Sequence, residues 1–250
     1  MSLEEWFETP LGQYLLEREQ AYFDQAVANI FGFNALQLGL PQYDLLQTNR
    51  MPLRFAAAPA FPAGYRGAVK LLTDLNHLPL ASQSIDLLLL PHVLEFHANP
   101  HQILREVERV LMPEGQVIIS GFNPFSLWGV PRFLPYWKEE HPWCGHFISL
   151  LRIKDWLALL GFEVTGGRLC CYAPPLRREK WRDRFQFMEA AGDRWWALGG
   201  GVYFLQAKKR IQGMRLIVPG WGERLAAKKA LAPAAQKTMN RAQFRKEEGV

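Results

Sequence analysis

With 250 residues, 49% of them hydrophobic, the chain is long enough to bury a full core without metal or cross-links, and one decorated α/β domain accounts for it better than two compact ones. Its three cysteines, Cys144 and the neighbours Cys170 and Cys171, are too few and too poorly spaced for a disulfide framework or a zinc knuckle, and they fit a reducing cytoplasm. The formal charge of +5 is lopsided: eleven Lys or Arg stand against three acids from Gln206 to Val250, so the remainder is net acidic. Such a basic end reads either as a solvated tail or as an appendage for RNA or an anionic surface through residues 208–246.

The chain opens with Glu4, Glu5, Glu8 and Glu17 and lacks the basic n-region of an export signal. No stretch reaches the roughly 18 apolar residues of a membrane span. Leu15, Leu16, Tyr22, Phe23, Ala26, Val27 and Ile30 recur at helical spacing, which predicts an amphipathic helix over 11–31 with Pro10 in its first turn and Gly32 at its end. Strands are predicted at 34–40, 51–58 and 68–72, the second shortened by Pro52 and Pro59. Residues 85–90 are nearly all Leu without alternation, the pattern of a strand covered on both faces at the centre of a parallel sheet.

After Asn99-Pro100, the positions Ile103, Val107, Val110 and Leu111 mark a helix that Pro113 and Gly115 close, and a strand follows at 116–120. A helix over 152–160 stops at Gly161. Strands at 163–172 and 202–208 then follow one another with no full crossover helix between them, which favours antiparallel pairing. The intervening Trp181, Phe185, Phe187, Trp195 and Trp196, mixed with Arg177, Arg178, Lys180, Arg182, Arg184 and Arg194, fit a helix packed on the sheet edge better than a base-stacking surface. The expected organisation is an N-terminal helical cap at 1–33, an α/β domain at 34–210 with a lid insertion at about 122–150, and a basic tail at 211–250.

The most informative segment runs from Asp74 to Phe96: Asp74-Leu75-Asn76-His77-Leu78-Pro79, then Ser84-Ile85-Asp86, a Leu-rich strand, and Pro91-His92-Val93-Leu94-Glu95. It resembles the central segment of class I S-adenosylmethionine-dependent methyltransferases of the broad type 11 kind, where Asp-x-x-x-Leu-Pro precedes a Ser-Ile/Phe-Asp turn and a strand. The resemblance implies an α/β fold: a Rossmann-like, mostly parallel sheet with an antiparallel C-terminal strand pair and helices on both faces. It implies S-adenosylmethionine as cofactor. Leu38 and Gly39 would give the backbone approach, Asp74 and Leu75 the adenine contact, and Pro91 and His92 the end of the fourth strand near the methyl donor. Glu95 is either a further ligand contact or a helix-start carboxylate.

Two departures accompany it. The first-strand loop, Leu38-Gly39-Leu40-Pro41-Gln42-Tyr43-Asp44, has one glycine where the family has Gly-x-Gly-x-Gly, and the second strand ends in Ala58-Pro59 with no acid for the ribose unless Asp44 substitutes. The same single glycine excludes a dinucleotide-binding Gly-x-Gly-x-x-Gly. Tyr136, Trp137, Trp143 and Phe147 in the lid read either as simple loop packing or as a substrate wall beside His141 and His146, candidate bases together with His92. His141, Cys144 and His146 carry zinc-ligand chemistry, but no fourth ligand lies nearby, and no metal is expected. Two readings follow: methyl transfer to an unidentified acceptor, or a sheet that has lost catalysis and binds a partner, such as RNA, through the tail.

Overall fold

The computed structural model describes residues 3–61, 69–134, 137, 140–175, 188 and 199–210. These belong to one compact unit, Met1–Ile211; the second, Gln212–Val250, lies outside the described residues, and with it the expected basic tail. The aromatic and basic stretch singled out at 177–201 also falls almost wholly outside them.

Seven strands form one sheet in the order β3-β2-β1-β4-β5-β7-β6. They are β1 (Asn34–Leu38), β2 (Leu53–Ala58), β3 (Val69–Leu72), β4 (Ile85–Pro91), β5 (Leu111–Phe122), β6 (Phe162–Cys170) and β7 (Val202–Lys209). The first five are parallel, and β7 inserts antiparallel between β5 and β6. The Leu run of β4 is central because successive side chains point to opposite faces. Leu88 and Leu90 enter one core with Ile103, Val107, Ile153 and Leu157, while Leu87 and Leu89 enter a second with Trp6, Phe7, Phe23, Phe122 and Trp128.

Helices α3 (Pro100–Val110) and α4 (Leu150–Leu159) supply the first core, and α1 (Leu3–Phe7) and α2 (Pro10–Val27) the second. Thr9 caps α2, its side chain accepting from the Gly12 N–H at 3.1 Å. The helix expected to reach residue 31 ends at Val27, where Asn49 draws the Val27 and Ile30 carbonyls onto its amide.

The one element whose start differs substantially is β5. Leu111 already pairs with Ile85, and Gln116 pairs with Leu87, so the Pro113-Glu114-Gly115 stretch expected to end a helix forms an irregularity inside the strand. Glu114 there takes the left-handed conformation, φ 65°.

Candidate active site

The carboxyl ends of β1 to β5 lie along one edge of the sheet, the place where open α/β folds hold ligands. At β1 the loop is shaped by a side chain rather than by repeated glycines. The Gln37 amide, buried in the strand, donates to the carbonyls of Gly39 (3.1 Å), Leu40 (3.0 Å) and Tyr43 (2.9 Å), and its oxygen accepts from the Leu45 N–H at 3.0 Å. Gly39 has φ 79° and Leu40 φ 44°. A Cβ on Gly39 would stand 2.8 Å from Val93 Cγ2, so this glycine is needed both for its backbone and for contact with the β4 loop. Both polar atoms of the Gln42 side chain are buried without a hydrogen-bond partner. Unpaired buried amides are costly.

Beyond β2, Ala58 and exposed Pro59 bring no acid to the ribose position. Asp44 does not replace it by folding inward: it is exposed and accepts from the Leu46 N–H in a local turn. At β3 the Asp74 carboxylate, more than half exposed, accepts from the Asn76 N–H at 3.0 Å and the Asn76 side-chain amide at 2.9 Å, with His77 at 3.4 Å. The Asn76 backbone bond holds its pKa below the usual carboxylate range, with His77 adding to the effect. Leu75 is buried beneath it, and Asn76 Oδ1 is a second buried acceptor without a partner. The turn is stapled to α3, because the Leu78 N–H donates to Glu106 and Arg109 donates to the Leu78 and Leu80 carbonyls.

The end of β4 is different in kind. Pro91 is buried, and His92 (φ 50°) is sealed: Nε2 lies 2.5 Å from Glu19 of α2 and Nδ1 3.0 Å from Glu95. Its ring lies 4.2 Å from that of Phe122 and 6.0 Å from that of Phe7. Burial pulls the imidazole pKa down, but the carboxylates of Glu19 and Glu95 outweigh it and hold it at about 10. Burial pushes the Glu95 carboxyl up, against the opposing pull of His92. Glu95 also accepts from the Phe122 N–H, and its own carbonyl takes the His146 N–H at 2.7 Å. Gly121 leaves room for the Tyr203 hydroxyl beside Glu95, and burial holds that phenol well above its ordinary pKa, Glu95 adding to it.

His92 therefore cannot serve as the base expected of it, nor touch a cofactor with its ring. Both nitrogens are occupied, the side chain is fully buried, and the ring keeps its proton at neutral pH. Asp74, Gly39 and His92 share the sheet edge, but aromatic side chains pack around His92 while Asp74 faces solvent.

The lid is a built layer. Trp143 Nε1 donates to the Trp128 carbonyl and Trp128 Nε1 to that of Ala173, both at 2.9 Å. His141, half-buried against Phe96 at 5.3 Å between rings, has an unpartnered Nδ1, and burial lowers its pKa, Glu5 opposing. His146 and Cys144 are exposed, and among the described residues no cluster of three candidate metal ligands exists.

Sequence reasoning missed Glu19, Gln37 and Gln42. The first two carried a signal: each is a polar residue inside an apolar pattern, Glu19 between Leu15 and Phe23 on the helix stripe and Gln37 between Leu36 and Leu38.

Residues 46–119, from just after the β1 loop into β5, match the methyltransferase domain family. The strand order and the antiparallel β7 agree with that match, as the fold of class I S-adenosylmethionine-dependent methyltransferases. Among relatives, the uncharacterized protein YafS of Escherichia coli K12 is 43% identical over 96 residues, 38% of this chain and 40% of that one. Demethylmenaquinone methyltransferase of Chlamydia pneumoniae is 31% identical over 86 residues, 34% of this chain and 32% of its own. The chain thus spans less than half the length of either. A S-adenosylmethionine-dependent methyltransferase structure from Thermotoga maritima superposes with a TM-score of 0.57 at 17% identity, covering 83% of this chain and 94% of that one, a likeness of fold.

Proposed function

We propose that the protein transfers a methyl group from S-adenosylmethionine to an acceptor, in the cytoplasm. The observation that carries this reading is the unpaired buried amide of Gln42 after β1 and the unpaired amide oxygen of Asn76 after β3, on the sheet edge of a methyltransferase-like domain. They fit a cofactor with a carboxylate, an amine and an adenine to satisfy. The backbone of Leu38 and Gly39 with Gln42 would hold the amino-acid end, and Asp74, Leu75 and Asn76 the adenine, while Pro91 closes the floor. When bound, the cofactor supplies an electrophilic methyl on a sulfonium.

The protein's own part is to orient the acceptor and to remove its proton. Of the lid histidines, His141 is the better base: burial keeps its ring neutral at pH 7, and Nδ1 has no competing partner. His146 is the alternative if the lid rotates it inward. The His92 cluster instead fixes the β4 loop against α2. Lys208, Lys209 and Arg210, expected to begin the basic surface, are instead engaged by Glu114, Glu108 and Glu163, so contacts to RNA or an anionic surface would fall to residues 211–246.

Isothermal titration of the full chain with S-adenosylmethionine and S-adenosylhomocysteine tests the reading. Saturable binding of both is expected; no heat on folded protein up to millimolar ligand would leave the sheet as a binding module.

A further inference from the structure

Outside the sheet edge, Cys170 and Cys171 form a pair of adjacent thiols. They end β6, their sulfurs lie 3.5 Å apart, Cys171 is fully buried and Cys170 partly accessible. Cys171 takes φ 60°, so the chain turns sharply between the strand and Tyr172. That turn abuts the lid's foundation. The Gly201 N–H donates to the Cys171 carbonyl at 3.0 Å, Gly201 lies directly against the Trp128 ring, and Trp128 hangs from Ala173 two residues further on.

We propose that Cys170 and Cys171 are a reversible thiol–disulfide site, closing to an eight-membered ring by exchange with a low-molecular-weight disulfide. The Cys170 sulfur, the accessible one, attacks the external disulfide as a thiolate, forming a mixed disulfide and releasing one small thiol. The Cys171 sulfur then attacks Cys170, forming the ring bond and releasing the second small thiol. Two electrons pass to the external disulfide, and the two protons from the cysteines end on the released thiols.

Adjacency dictates the character of the bond. Consecutive Cα atoms stand about 3.8 Å apart, closer than the roughly 4.4–6.8 Å of ordinary disulfides, so the ring is strained and readily reduced. Strained disulfides are the labile, regulatory kind rather than structural staples. Closure must also turn the backbone at 171, which moves the seat of Trp128.

The test uses the full chain with exposed Cys144 removed as Cys144→Ser. In excess glutathione disulfide, both remaining thiols should become inaccessible to alkylation together, with a mass loss of two hydrogens, no retained glutathione, and full reversal by dithiothreitol. Phenylarsine oxide, a vicinal-dithiol reagent, should bind the reduced protein one to one and block later alkylation. The Cys170→Ser variant should bind none and form no ring. Tryptophan emission should fall on closure, and by less in Trp128→Phe. A lasting glutathione adduct on Cys170, two thiols still alkylatable when the oxidised chain is denatured, or a disulfide joining two chains would each overturn the proposal.

Discussion

Two ends of parallel strands on one sheet edge, with β2 and β1 between them in the strand order, have been put to opposite uses. After β3, Asp74 is solvent-facing, ionised and held by short local bonds, with an unpaired amide oxygen beside it. After β4, His92 is walled in by aromatic rings and clamped between Glu19 and Glu95. The contrast teaches that position on a ligand-binding edge does not make a residue a ligand contact. What separates the two is that α2 brings the Glu19 carboxylate to the end of β4, while Phe7 of α1 and Phe122 of β5 supply the aromatic cover.

The sharpest way to break that contrast is Glu19→Ala, which leaves a protonated imidazole buried beside a single carboxylate. Loss of one partner of a buried ion pair costs about 3–5 kcal/mol. Urea unfolding should show a loss of that size; a loss no larger than that of an exposed Glu substitution would mean His92 is not held as described.

The next effect is on pH. The folded imidazole has its pKa at about 10, above the ordinary 6.5 it has when unfolded. The folded state thus binds the extra proton between those values. Its contribution is complete below about pH 6.5 and fades as pH rises toward about 10, by up to about 1.4 kcal/mol per pH unit. Glu95, also raised, shifts stability in the same direction from lower pH. Denaturant midpoints should therefore fall from neutral to alkaline pH, and a His92→Gln variant should flatten the curve; a rise in the parent would contradict the assignment.

Smaller in stability is Gly39→Ala. The left-handed backbone costs a non-glycine residue about 1–2 kcal/mol, and the new Cβ presses on Val93. Calorimetric unfolding would measure it, with a weaker affinity for S-adenosylmethionine expected alongside. Smallest of all for stability, Asp74→Ala should leave the unfolding midpoint unchanged while weakening cofactor binding about tenfold, the value of a hydrogen bond to a charged group. Equal binding by both proteins would shift the adenine contact to Asn76.

Much of this architecture was legible because it rests on patterns with a physical period. The unbroken Leu run predicted a doubly covered central strand, and the missing crossover between β6 and β7 predicted their antiparallel pairing. The site was less legible, since it depends on contacts between distant positions. Nothing near His92 in sequence announces that Glu19, 73 residues earlier, occupies its second nitrogen. The longer β5 escaped because Pro and Gly usually end elements, whereas here the backbone of Gln83 and Ser84 pins the helix end and lets the strand start early.

The clasp formed by Gln37 has a consequence for how such chains are found. Because one amide inside the strand dictates the path of the following seven residues, that path need not be encoded by repeated glycines, and the loop's letters are free to drift. The family match begins at residue 46, just past the loop. Relatives that have abandoned the glycine signature can be sought instead by a buried amide near the end of the apolar first strand, eight residues before the backbone N–H it captures.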